Sequence, residues 1–181
     1  MIHETAQVSP LAFLGEGVKI WNHAQVRGGA VIGSGSVLSK NVYVCMNVKI
    51  GENCKIQNNC SIYHGVELER GVFVGPHCVF TNDKVPRAIN VDGSIKSESD
   101  WDEGKTIVKE GASIGARSVV LPNVVVGKFA LIGAGSVVTK SVPDFGLVYG
   151  NPARLVGFVC YCGKKLGSGL VAGDKCGDCS S

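Results

Sequence analysis

The chain has no run of lysine and arginine, and its 18 basic against 15 acidic side chains leave a net charge of only +3. A nucleic-acid surface needs basic residues gathered on one face, so the sequence gives no such footprint. No apolar stretch reaches the roughly 20 residues of a membrane-spanning helix, and no membrane partner is expected. The first residues, Met1-Ile-His-Glu4, lack the basic-then-apolar layout of a secretory leader, which makes a cytoplasmic protein the simplest expectation. Ser-His-Asp sets, phosphate-binding Walker loops and dinucleotide fingerprints are missing too, so hydrolytic and nucleotide-cofactor chemistry lack support.

What is present is an aliphatic residue every six positions. The column begins Val8, Leu14, Ile20, Val26 and continues through Ile62, Leu68, Val74 and Phe80. It resumes as Val108, Ile114, Val120, Val126, Ile132 and Val138. A period of six fits neither an amphipathic helix nor an alternating strand. It marks a solenoid whose short units bury their side chains only by stacking on one another. Four residues after each aliphatic comes a smaller one, such as Ala24, Ala30, Ser36, Cys54, Cys60, Cys78, Ala112 and Ser118, which predicts a narrow, filled interior.

Three residues after each aliphatic from Leu14 to Phe80 stands a turn former. From Gly17 to Asp83 this third column contains only Gly, Asn, His and Asp, the residue types that tolerate positive φ best. A tight turn in every hexapeptide follows, with three hexapeptides closing an eighteen-residue triangular coil. The later block carries Arg117, Phe129 and Ser141 in this column, which predicts more irregular turns there.

The separation from Phe80 to Val108 is not a multiple of six, so an insertion breaks the repeat over about residues 83–106. The expected organisation is a solenoid over 1–142, a turn-rich exit over 143–159 and a cysteine-bearing tail over 160–181. Of eight cysteines, Cys45, Cys54, Cys60 and Cys78 read as structural, three of them in the small inward column. The tail holds Cys160-Tyr-Cys162, thirteen residues, and Cys176-Gly-Asp-Cys179. Two close pairs flanking a Gly-rich stretch suit four-thiolate zinc, with free thiols or disulfides as the alternatives.

His23 and His77 sit in the corner column and read as turn residues, whereas His64 lies outside it, two places after Ile62. One coil later, two places after Phe80, comes Asn82. Stacking should put their backbones about one strand spacing (~4.8 Å) apart where the insertion leaves the coil, with Tyr63 and Thr81 as the neighbouring pair. An imidazole, an amide and two hydroxyls under a loop suit transfer of an acyl group to a neutral amine, which these groups could orient and deprotonate.

On these columns the chain resembles the hexapeptide-repeat acyltransferase superfamily. The runs Lys55-Ile-Gln-Asn-Asn-Cys-Ser-Ile-Tyr-His-Gly-Val66, Val74-Gly-Pro-His-Cys-Val-Phe-Thr-Asn-Asp-Lys-Val-Pro-Arg87 and Gly150-Asn-Pro-Ala-Arg154 resemble one branch, the N-acetyltransferases of nucleotide-linked 3-amino sugars. The resemblance implies an all-β, left-handed parallel β-helix with an inserted loop and a small zinc-ribbon-like tail. It also implies a homotrimer, and acetyl-CoA as the donor in clefts between subunits. It implies catalytic roles for Asn82 and His64, with the amino sugar and its phosphates held by Tyr63, Thr81 and Arg87. Gly115, Ala116, Gly133, Ala134, Lys140 and Arg154 would serve the coenzyme, and Cys160, Cys162, Cys176 and Cys179 a structural zinc.

Two rivals stand beside this reading. A γ-type carbonic anhydrase needs three histidines on a catalytic zinc, two of them at H-x4-H spacing, which the sequence lacks. A non-catalytic scaffold is the other, since a fold does not fix a function.

Overall fold

The computed structural model describes residues 1–97 and 99–179. Two- and three-residue strands recur every six positions and gather into three sheets of seven, six and eight strands. Face one runs from Gln7–Val8 to Val137–Val138 and face two from Phe13–Leu14 to Val125–Val126. Face three runs from Lys19–Ile20 to Leu131–Ile132 and then takes in two longer C-terminal strands. Each strand pairs in parallel with the one a coil away, as in Ile20 with Leu38 and Leu38 with Ile56. The architecture is an all-β parallel β-helix.

Both inward columns are buried. The aliphatics from Ile20 to Val138 and the small residues from Val18 to Val142 form one continuous core. Polar members of the small column share a single bonding device. Ser36 Oγ donates to the Gly51 carbonyl (2.8 Å), Cys60 Sγ to Gly75 (3.0 Å), Cys78 Sγ to Gly115 (3.1 Å) and Ser118 Oγ to Gly133 (3.2 Å). The buried cysteines are thus small apolar fillers whose weak donor is satisfied at the next corner. The neighbouring Cys78 thiol and, after it, burial push the Cys60 thiol well above its ordinary range, so it carries no thiolate chemistry.

The third column holds positive φ throughout Gly17–His77, with Asn41, Asn47, Asn53 and Asn59 between 55° and 60°. The later block is not irregular, contrary to the sequence expectation. Arg117 (59°) and Phe129 (54°) adopt the same left-handed turn as Asn123 (64°) despite ordinary side chains. Stacking on regular coils above and below imposes the conformation, and its local cost is absorbed by the ladder it completes. Ser141 does depart. Its hydroxyl accepts the Val125 N–H (3.0 Å), and Phe145 takes the positive φ instead.

Register survives the insertion: Leu68 pairs with Val108, Val74 with Ile114 and Phe80 with Val120. The inserted segment leaves at Asn82 and returns at Gly104, whose N–H donates to the Asn82 carbonyl (2.9 Å) and pinches the loop shut at its neck. The segment after Val142 is not the turn-rich exit its Pro and Gly content suggests. Gly146–Gly150 extends face three in parallel beside Leu131–Ile132, and Ala153–Phe158 returns antiparallel to it. Pro143, Gly150 and Pro152 punctuate the ends of these strands rather than abolishing them.

Candidate active site

Position 64 follows a face-one strand by two residues, and position 82 does the same one coil later, because Ile62 pairs with Phe80. Both therefore sit on the corner between faces one and two. Their side chains line one cavity of about 480 Å³ together with Tyr43, Cys45, Met46, Tyr63, Trp101 and Glu103. The insertion supplies Trp101 and Glu103 and roofs the corner. Gly65 makes this approach possible: at φ +83°, a Cβ there would stand 2.6 Å from the Gly104 carbonyl oxygen.

Glu103 meets His64, with its carboxylate on Nδ1 of the imidazole. A carboxylate on Nδ1 fixes the tautomer that carries its proton there and leaves Nε2 as a free acceptor. The His64 side chain is 37 % exposed and that of Glu103 29 %, so the pair sits at a mouth rather than in the core. Tyr63 tilts against Tyr43 with ring centroids 5.7 Å apart. The Tyr43 hydroxyl reaches the Cys45 thiol at 3.5 Å, and this contact with partial burial raises its pKa, keeping it protonated. Cys45 thus faces the cavity, unlike the three inward cysteines with which the sequence grouped it.

The other expected residues are dispersed. Thr81 turns its hydroxyl to the Val120 carbonyl (3.4 Å) and lies outside the lining of this cavity. Arg87 lines an adjoining hollow of about 460 Å³ with Lys96, Asp83 and Trp101, so Trp101 is the wall shared by the two spaces. Gly115, Ala116, Gly133 and Ala134 occupy a different corner, between faces three and one. Lys140 is two places after the face-one strand Val137–Val138, which puts it in the His64–Asn82 column two coils on. Lys140 and Arg154 line one further hollow of about 310 Å³.

The glycines of the second corner have a structural reason to be there. A Cβ on Gly115 would stand 2.5 Å from the Ala134 nitrogen, and one on Gly133 2.8 Å from the Tyr149 Cβ. Close stacking of corners already demands glycine at both positions, with or without a ligand.

Cys160, Cys162, Cys176 and Cys179 bring their sulfurs within 4.8 Å of one another, and they are the one such metal-competent group among the described residues. A tetrahedral zinc–thiolate shell has Zn–S bonds of about 2.3 Å, hence sulfur–sulfur edges of roughly 3.8 Å. The spacing fits, and so does the electrostatics. The Cys176 N–H donates to Cys160 Sγ (3.2 Å), and amide donors draw the Cys160 thiol down to about 6. The thiols of Cys162, Cys176 and Cys160 push Cys179 up to about 12. Four thiols this close cannot all ionise without a cation between them.

Sequence reasoning missed Glu103 and Trp101, which lie in an aperiodic stretch where no spacing assigns a partner. Their one signal was the run of acids around a tryptophan inside an insertion.

Residues 47–82 and 105–140 match the family described as bacterial transferase hexapeptide (six repeats). Among curated relatives, the chain is 59 % identical over 63 residues to dTDP-3-amino-3,6-dideoxy-alpha-D-galactopyranose 3-N-acetyltransferase of Aneurinibacillus thermoaerophilus, covering 35 % of this chain and 33 % of that one. It is 40 % identical over 88 residues to serine acetyltransferase of Escherichia coli K12, covering 48 % and 31 %. The chain thus spans about a third of the length of these relatives. A solved structure of a histidine-to-alanine mutant of GDP-perosamine N-acetyltransferase from Caulobacter crescentus, in complex with CoA and GDP-perosamine, superposes with a TM-score of 0.52 at 26 % identity, covering 86 % of this chain and 55 % of that one. AntD, an N-acyltransferase from Bacillus cereus, shares the fold at TM-score 0.54 and 21 % identity, with coverage of 86 % and 81 %.

Proposed function

We propose that this chain is an acetyl-CoA-dependent N-acetyltransferase acting on the amino group of a nucleotide-linked amino sugar. The observation that carries the reading is the His64–Glu103 pair facing the same cavity as Asn82. Similarity to a 3-amino-sugar N-acetyltransferase and to a CoA- and nucleotide-sugar-bound relative supports it.

In this reading the sugar amine enters the cavity beside His64. Nε2 takes a proton from the amine as the nitrogen attacks the thioester carbonyl, and Glu103 stabilises the imidazolium formed. The Asn82 amide orients the amine or donates to the developing oxyanion. The new C–N bond replaces the C–S bond, and the proton held on His64 passes to the departing coenzyme thiolate. Tyr63 packs the sugar, while Arg87 and Lys96 across Trp101 take the phosphates. Thr81 supports the strand below Asn82 rather than touching the sugar.

A single chain splits the expected coenzyme residues over two corners. One donor molecule touching both Gly115–Ala116 and Lys140–Arg154 would lie between two copies, which supports a homo-oligomer, a trimer in this reading. The four tail thiols would hold a structural zinc. No helix among the described residues is long and apolar enough to cross a membrane, and a cytoplasmic site of action suits the substrates proposed.

The test is release of free coenzyme thiol from acetyl-CoA against a panel of nucleotide-linked 3-amino and 4-amino sugars. Turnover with one of them is expected. No turnover with any, together with no thermal shift at saturating acetyl-CoA, would overturn the reading in favour of a scaffold.

A further inference from the structure

Tyr43 lines the His64 cavity but takes no part in the chemistry above. It stands on the face-one strand Tyr43–Val44, one coil below Ser61–Ile62. Cys45 follows, with its N–H on the Ile62 carbonyl (2.9 Å), and Met46 comes next, one coil below His64 in the corner column. The cavity therefore has two ends. His64, Asn82 and Glu103 supply the end toward the C-terminus. Tyr43, Cys45 and Met46 supply the other, one strand spacing (~4.8 Å) away along the coil axis.

Hydrogen bonding at the second end is unbalanced. The Tyr43 hydroxyl donates to sulfur, the Cys45 Sγ at 3.5 Å. Thiol sulfur is a weak acceptor, whereas a hydroxyl donor ordinarily finds an oxygen at about 2.7–2.8 Å. The Thr81 hydroxyl and the inward thiols of Cys60 and Cys78 all reach carbonyl oxygens instead. Met46 and the rings of Tyr63 and Trp101 complete the wall around Tyr43 with largely apolar surface. The tilted contact with Tyr63 holds the Tyr43 ring in place, so its hydroxyl stays at this end. Arg27 is stacked beneath Cys45 and brings its guanidinium beside the same hydroxyl. A guanidinium only donates, so it can serve the phenol oxygen but cannot take the phenol proton. That proton is left for the sulfur or for a ligand.

We propose that Tyr43 is a specificity-determining residue, whose hydroxyl leaves the Cys45 sulfur to donate to a hydroxyl oxygen on the sugar ring that carries the reacting amine. The sulfur holds the proton in the free enzyme, which keeps the phenol from being a costly unpaired donor. Exchange of a weak acceptor for a strong one stabilises the complex only when the ligand carries an oxygen at that point. Tyr43 thereby selects among amino sugars, while His64 and Asn82 act on whichever one is bound. That the ligand is an amino sugar rests on the acetyltransferase reading above; the donor and its weak partner do not.

The experiment compares wild type, Tyr43→Phe and Cys45→Ala on pairs of nucleotide-linked amino sugars that differ by one ring hydroxyl. Affinity for each sugar is read by calorimetry without acetyl-CoA, and kcat and KM by thiol release. Wild type should prefer the hydroxyl-bearing member of one pair by about tenfold, the factor that one neutral hydrogen bond carries. Tyr43→Phe removes one oxygen, keeps the ring against Tyr63 and should bring that ratio close to one, with the loss in KM rather than kcat. Cys45→Ala should keep the preference or widen it, because the rival acceptor is gone. Three results would overturn the proposal and leave the acetyltransferase reading intact: turnover with no preference within any pair, equal losses on both members in Tyr43→Phe, or a preference abolished in Cys45→Ala. Binding with a preference that Tyr43→Phe abolishes, but without thiol release, would sustain the proposal and overturn the acetyltransferase reading. Neither binding nor release with any sugar would overturn both.

Discussion

The imidazole of His64, on a coil corner, meets the carboxylate of Glu103, on an insertion 39 positions later in the chain. The contact exists because the loop is closed at its neck by the Gly104–Asn82 hydrogen bond. The imidazole thus comes from the rigid scaffold and the carboxylate from the insertion that interrupts it.

His64→Ala should lower kcat by about 10²–10⁴-fold, the usual contribution of a positioned general base. Glu103→Gln, which keeps shape but not charge, should cost about tenfold to a hundredfold, with KM for the amino sugar little changed. Steady-state thiol-release kinetics on both variants and on the double variant check the coupling. Fully additive losses would show that the two side chains act independently.

Asn82→Ala should lower kcat by roughly 10²-fold if its amide meets the developing charge. Stability should move by less than about 1 kcal/mol, because the hydrogen bond to Gly104 uses the Asn82 backbone and survives the substitution. Turnover and a urea melt are measured together. An intact rate would remove Asn82 from the chemistry.

Gly65→Ala should act on the loop's neck. The added methyl meets the Gly104 carbonyl at 2.6 Å in a left-handed turn, so a loss of about 1–3 kcal/mol is expected. Activity should fall further than stability predicts, since Glu103 is carried on the displaced segment. A denaturant melt and kcat/KM on the same preparation would show it.

Cys60→Ser should be tolerated to within about 1 kcal/mol. Serine already fills the equivalent inward position at 36, 118 and 136 and donates to the same kind of carbonyl. Cys60→Leu should instead cost several kcal/mol, because the small column leaves no room for a branched side chain. Thermal melts of the two variants separate donor from volume.

The period of six, the two inward columns and the turn column were legible because each coil repeats the same local problem. The solution is written into every hexapeptide. His64 and Asn82 were legible for the same reason: their eighteen-residue offset places them together once the coil is known. Arg117 and Phe129 misled, since their side chains suggest loose turns where stacking enforces regular ones. Thr81 misled as well, because a hydroxyl near the surface satisfied itself on the strand beneath.

Sequence by itself determined the three-sided coil, its filled interior and the corner on which the candidate base stands, since all of these follow from repetition at short range. Only the tertiary structure decided which loop residues face that candidate base, which corner each coenzyme candidate occupies, and that the tail's four thiols gather into one cluster. Those contacts join segments with no shared period, and their positions depend on how an aperiodic chain folds back onto a periodic one.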